Sequence, residues 1–145
     1  MANHTGSLVF TPNLGLIGIP QLIMGTVTFA EALDTAETIT ISVDTNGIPV
    51  FVHDFSVEGT NMDAHATVKT LGVKWGTSGD DDGFQVATVY NALGTIMPAI
   101  SAPGALIGTK VNLTSIIGTV TADPATDVTS GTWTVKMWAT PCSIA

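Results

Sequence analysis

Few side chains in this sequence could do chemistry, and the densest group is a run of three carboxylates, Asp80, Asp81 and Asp82, followed by Gly83. Adjacent acids repel one another, and a hard divalent cation held through oxygen would relieve that repulsion. A helix-flanked calcium loop needs oxygen ligands at alternate positions and a bidentate Glu about six residues beyond its glycine. Val89 stands there instead, so that motif fails. A looser cation site and a solvated hairpin tip remain as readings of the run, and the hairpin tip is the commoner use of such a charge cluster.

The imidazoles of His4, His53 and His65 have no ligand spacing. In a regular strand His53 and Asp54 point to opposite faces, which defeats a direct dyad between them. Asp63 and His65 could share a face if extended, yet they lie in the turn-like stretch Asn61-Met62-Asp63-Ala64. Cys142 is the lone cysteine, so no disulfide forms within one chain, and no sequence neighbour is a His or Lys that would activate its thiol. A Gly-x-Ser-x-Gly elbow and a phosphate-cradling glycine loop are both missing. We therefore assign no catalytic residue, no cofactor and no metal ligand, and the sequence does not read as an enzyme.

What the composition offers instead is a surface. The 145 residues include four Lys, no Arg and twelve acids, for a net charge of −8, and only 11% of the residues are charged. The polar surface must then be built from Thr, Ser, Asn and Gly, which are easily buried against a partner. With a mean hydropathy of +0.42 the chain is expected to expose apolar patches of the kind that mark interfaces, and hence to form a homo-oligomer. The negative charge repels polyphosphate, and the missing Arg removes the commonest base and phosphate contact, so no nucleic-acid partner is expected. An anionic membrane is disfavoured for the same reason. The apolar stretch 14–24 is too short to span a bilayer and is broken by Gly15, Gly18 and Pro20. The N-terminal residues lack the basic region and short apolar block of a secretory signal, which predicts assembly without export.

The elements that position these groups read as strands. Residues 1–20 carry Gly6, Pro12, Gly15, Gly18 and Pro20 too closely for a helix and too irregularly for a central strand, and read as an extended, apolar N-terminal arm. Residues 21–145 read as one β-sandwich domain. In 37–43, Ile39, Ile41 and Val43 alternate with Thr38, Thr40 and Ser42, the period of a half-buried strand. Asn46-Gly47 then supplies turn chemistry. Further candidate strands are 22–29, 48–57, 66–75, 84–90, 105–111, 115–121 and 132–139; the stretch 28–38 is the only one that would tolerate a helix. The tally of about eight short strands separated by turns predicts an all-β fold, an antiparallel sandwich of jelly-roll type.

In the last strand Trp133, Val135 and Met137 face the core, while Thr132, Thr134, Lys136 and Trp138 face outward. Trp138 is then an apolar anchor on the solvent side, which predicts that another chain or the arm covers it. Exposed aromatics on a sandwich can also stack on sugar rings, but core packing accounts better for Trp75 and Trp133.

The stretch 27–139 resembles the capsid decoration, or cement, proteins of tailed phages. The resemblance is carried by Val27-Thr28-Phe29-Ala30 with Leu33-Asp34-Thr35, by the strand Glu37-Thr38-Ile39-Thr40-Ile41, and by residues 50–57 leading into Gly59-Thr60-Asn61-Met62-Asp63-Ala64-His65-Ala66-Thr67. Leu71-Gly72-Val73, the turn Gly79-Asp80-Asp81-Asp82-Gly83-Phe84 and the closing Ser130-Gly131-Thr132-Trp133-Thr134-Val135 complete it. The resemblance implies a jelly-roll sandwich on the outer face of an icosahedral head, assembled in the host cytoplasm, usually as a trimer. Its implied partner is the major capsid protein, whose subunits it bridges and stabilises. Such families carry no catalytic residues. On this reading the partner-binding anchors are Leu8, Phe10, Leu14, Leu16, Ile17 and Ile19 of the arm together with Trp138. A head-tail or tail component and a carbohydrate-binding or adhesin module are the competing readings.

Overall fold

The computed structural model describes residues 3–8, 18–31, 33–45, 47–60, 71–90, 96–98, 103–122 and 129–142. Ten strands follow one another: β1 (Asn3–Leu8), β2 (Gln21–Phe29), β3 (Thr38–Val43), β4 (Val50–Thr60), β5 (Leu71–Gly76), β6 (Gln85–Tyr90), β7 (Ile96–Pro98), β8 (Lys110–Val111), β9 (Ser115–Ala122) and β10 (Gly131–Pro141). The described residues contain no helix, and the helix-tolerant stretch resolves into the end of β2 and a turn.

One sheet runs β1-β3-β9-β5-β6 and the other β2-β10-β4-β7, with β8 sharing the β4 edge with β7. Apart from the first and the short eighth strand, this is the jelly-roll order. The chain wraps so that β2 pairs with β10 and β3 with β9, an early strand beside a late one, in opposite sheets. All pairings are antiparallel except the parallel one of β1 with β3, from Asn3 opposite Thr38 to Leu8 opposite Val43. Residues 3–8 therefore add an edge strand to the chain's own sandwich; Phe10, Leu14, Leu16 and Ile17 lie outside the described residues.

Period-two patterning places the core on β3 and β10 as the sequence predicts, and pairing with β10 gives β2 its core face. Ile23, Val27 and Phe29 of β2, Ile39, Ile41 and Val43 of β3, and Trp133, Val135, Met137 and Ala139 of β10 are buried between the sheets. Trp75 from one sheet meets Trp133 from the other edge-on, with ring centroids 5.7 Å apart at 70°. Phe55 of β4 stacks on Phe84 at 5.4 Å and reaches the Trp75 ring at 6.3 Å. Offset and edge-to-face arrangements of this kind add about 0.5–1.5 kcal/mol per pair beyond the area they bury.

Two expectations are corrected. Residues 105–109 form a turn, with Gly108 at φ 82° and the Thr109 hydroxyl donating to the Leu106 carbonyl, so only Lys110–Val111 of the expected strand 105–111 pairs. The second correction concerns β4, which carries a bulge: Trp138 lies opposite Asp54 but Ala139 opposite Val52, leaving His53 as the extra residue. His53 and Asp54 are consequently both exposed instead of facing opposite ways. The turn after β3 holds to expectation, with Gly47 at φ 74° and the Ile48 amide donating to the Thr45 carbonyl at 3.0 Å.

Gly118 on β9 is where the Trp75 ring lies against the neighbouring backbone; a Cβ there would sit 2.7–2.9 Å from three ring carbons. The ring is wedged between sheets and cannot yield. Gly118→Ala is expected to lower unfolding stability by about 1–3 kcal/mol, the usual cost of overpacking a core. Gly79→Ala, at a position with nothing within 4 Å, is expected to change it by less than about 0.5 kcal/mol; urea denaturation of both variants checks the contrast.

Candidate functional site

The Asp80–Asp82 turn is tied back onto the sandwich. The Thr77 and Gly83 amides donate to the Asp80 carbonyl at 2.8 and 3.2 Å, the Leu106 amide to the Gly83 carbonyl at 2.7 Å, and the Asp80 amide to the Thr77 hydroxyl at 3.2 Å. Lys74 on β5 reaches Asp81 with Nζ 2.6 Å from Oδ2. An ammonium thus stands where a bound cation would relieve the repulsion, although an exposed pair of this kind contributes only about 0–1 kcal/mol. Among the described residues no three carboxylates, imidazoles or thiols gather in ligand geometry. Partial desolvation holds the Asp80 carboxyl above its usual range, helped by a hydrogen bond from it to the Asp82 side chain and by the charges of Asp82 and Asp81.

The remaining chemical candidates stay apart. His53 pairs its Nε2 with the Thr140 hydroxyl at 2.5 Å and lies 5.0 Å, centroid to centroid, from the Phe51 ring. Cys142 is half-buried and its thiol donates to the Thr140 carbonyl at 3.4 Å. Asp54 accepts the Phe55 amide at 2.8 Å. The backbone of His4 lies in β1, while Asp63 and His65 lie outside the described residues. An open groove of about 360 Å³ between the β3 end and residues 112–114 offers a single carboxylate, Asp44, with no His, Cys or Lys. Nothing in that lining resembles a nucleophile with its base.

The feature that stands out is the outer face of the β2-β10-β4 sheet. Burial of alternate residues on β2 and β10 leaves Leu22, Met24 and Trp138 pointing away from the core, 43%, 49% and 48% exposed. Trp138 lies directly across from Leu22 on one side and Asp54 on the other; Lys136 lies across from Met24 and Ser56. Ile19, just ahead of β2, is 49% exposed, and the adjoining Gly18 amide bonds the Pro141 carbonyl at 2.9 Å, anchoring this segment at the end of β10. Beside the apolar patch a shallow hollow of about 150 Å³ is lined by Ser56, Val57, Glu58, Thr134 and Lys136. Of the anchors expected from the sequence, Trp138 and Ile19 are exposed near one end of this sheet. Leu22 and Met24 were missed, because the strand 22–29 shows its facing only once β10 gives it a core side.

No protein family and no curated protein matches the chain in sequence. Its fold is shared with two solved structures. A chain of the cyanophage Pam1 capsid asymmetric unit superposes with a TM-score of 0.64 at 22% identity, over 90% of this chain and 91% of that one. A chain of the capsid of Ralstonia phage GP4 superposes with a TM-score of 0.62 at 15% identity, over 95% of this chain and 99% of that one.

The raised Asp80 carboxyl has a definite sign in stability. A group that holds its proton more tightly folded than unfolded favours the folded state at acid pH, and that advantage is lost as pH rises through the folded-state value. Asp80→Asn is therefore expected to melt at a higher temperature than the parent near about pH 7, with the gap closing towards about pH 3, where both states carry the proton. Thermal unfolding at the two pH values, in a chelator-containing buffer, tests this; a variant less stable at neutral pH would refute it.

Proposed function

We propose that this chain is a structural protein of a phage virion, one that decorates the outer surface of an icosahedral head and stabilises it by bridging subunits of the major capsid protein. The observation that carries this reading is the shared fold: two chains from phage capsids match it over nearly their whole length and nearly the whole of this chain. The composition agrees with such a task, since a surface built from Thr and aliphatic residues can bury about 800 Å² per partner without stranding unpaired charges.

A bridging protein acts through many weak contacts held around one shell, so each copy needs only modest affinity. In this proposal the arm residues Leu8, Phe10, Leu14, Leu16, Ile17 and Ile19, with Trp138, make those contacts, and the free protein is a trimer assembled in the host cytoplasm. A sugar-binding module has less support, because Trp75 and Trp133 are fully buried and leave Trp138 as the one exposed tryptophan ring. A head-tail or tail component would close into rings or tubes.

The test is to add the purified chain to heads of the encoding phage assembled without it. Saturable binding at a fixed number of copies, with a higher temperature of head disruption, is expected. Light scattering of the free protein is expected to give a mass of three chains, constant with concentration and indifferent to chelator. Rings or tubes from the protein alone, or heads left unbound, would overturn the proposal.

A further inference from the structure

The first strand differs from the other nine in how it pairs and how it is joined. Among the described pairings its own is the one that is parallel, added to β3 at the edge of the β1-β3-β9-β5-β6 sheet. Parallel pairing is slightly weaker per residue than antiparallel, and the sequence Asn-His-Thr-Gly-Ser-Leu offers a single aliphatic residue. A strand of this composition depends on the β3 backbone more than on apolar burial.

Its connection to β2 is longer than its position requires. Leu8 ends opposite Val43; the turn after Val43 leads to Val50, which lies opposite Pro141, and the Pro141 carbonyl accepts the Gly18 amide just ahead of β2. The end of β1 and the start of β2 therefore lie at one end of the sandwich, in sheets that stack about 10 Å apart. Connections of this kind commonly take about 4–6 residues. Here the connection is residues 9–20. A chain of that length, fully extended, reaches about 40 Å, far enough to enter a neighbouring copy.

Charge singles out the same segment. No Asp, Glu, Lys or Arg stands in residues 1–20, so the net charge of −8 belongs to residues 21–145. Sandwiches of two copies repel, and the N-terminal segment is the part that crosses between them without adding to that repulsion. What the β3 edge accepts is visible in the structure, because Asn3–Leu8 occupies it, and the same residues of another copy make the same ladder. Exchange of an identical element costs little, since the bonds given up are made again. From these constraints we infer that β1 is an exchanged strand: in the trimer Asn3–Leu8 of each copy pairs with β3 of the next, closing a three-fold ring. In a lone copy the strand returns to its own β3. The inference rests on the trimer of the decoration reading and names the element that holds that trimer together.

A cysteine trap in the full chain tests it. Ser7 lies opposite Ser42, which is exposed, and adjacent strands bring paired positions within disulfide range. Ser7→Cys with Ser42→Cys, in a Cys142→Ser background, is oxidised, denatured and sized without reductant. A covalent species of three chains that reductant separates into single chains is expected. In a second variant residues 1–8 are deleted; its light-scattering mass is expected to fall from three chains to one, with the circular dichroism of a folded sandwich. Disulfides closed within single chains, or a truncated chain that stays trimeric, overturn the inference and leave the decoration reading standing. Should the cysteines stay reduced or the truncated chain misfold, the other variant decides. A parent with the mass of one chain overturns the trimer and the exchange together, while binding to heads still tests decoration by itself.

Discussion

The packing of the Trp75 ring across the middle of the sandwich constrains more of the structure than any other contact. It stands on β5, meets Trp133 of the opposite sheet edge-on, and touches Phe55 within the same aromatic cluster. Sheets stacked face to face lie about 10 Å apart, and an indole fills that gap only if the neighbouring strand gives way. Gly118 on β9 provides the room, its missing side chain replaced by the ring. The indole thus sets which strand can lie beside β5, and that pairing puts β9 between β3 and β5. Gly118, which interrupts the β-branched run of β9, is the residue the packing requires.

A second constraint shapes the outer surface. β10 is the long central strand of its sheet, paired to β2 along one side and β4 along the other. Its alternation is regular from Gly131 to Pro141, so its partners must conform. β4 does so with the His53 bulge, which lets Val50 and Val52 face the core on one side of the irregularity and Phe55 and Val57 on the other. Without that extra residue one half of β4 would turn its valines to solvent. The bulge also sets Asp54 directly across from Trp138 and brings His53 within reach of Thr140. The surroundings of the exposed tryptophan are therefore a by-product of keeping the β4 core continuous.

Charge is scarce, with four Lys against twelve acids in 145 residues. Lys74 spans from β5 to the acidic turn, where it offsets part of the repulsion among Asp80, Asp81 and Asp82. Glu37, buried beside the turn into β3, accepts the Asp34 amide at 3.0 Å and so serves the backbone of the turn that introduces the strand. That turn holds Ala36 at φ 73°, a strained conformation for a residue with a side chain, stabilised by the Ala36 amide on the Val120 carbonyl. Lys136 is exposed on the outer face of β10, between Met24 of β2 and Ser56 of β4, and lines a hollow together with Glu58.

Local pattern was enough to read much of this molecule from its residues. The alternation of Ile39, Ile41 and Val43, and of Trp133, Val135 and Met137, is a property of neighbours two apart, so the all-β class, the core faces of β3 and β10 and the outward position of Trp138 were determined by sequence alone. Tertiary structure decided what depends on partners far along the chain: the register that bulges β4 at His53, the parallel docking of Asn3–Leu8 on β3, and the collapse of 105–109 into a turn. It also decided that Leu22, Met24, Lys136 and Trp138 form one surface, because strands more than a hundred residues apart become neighbours only when the sheet closes. Sequence periodicity states which side of a strand is apolar; only pairing states what that side lies next to.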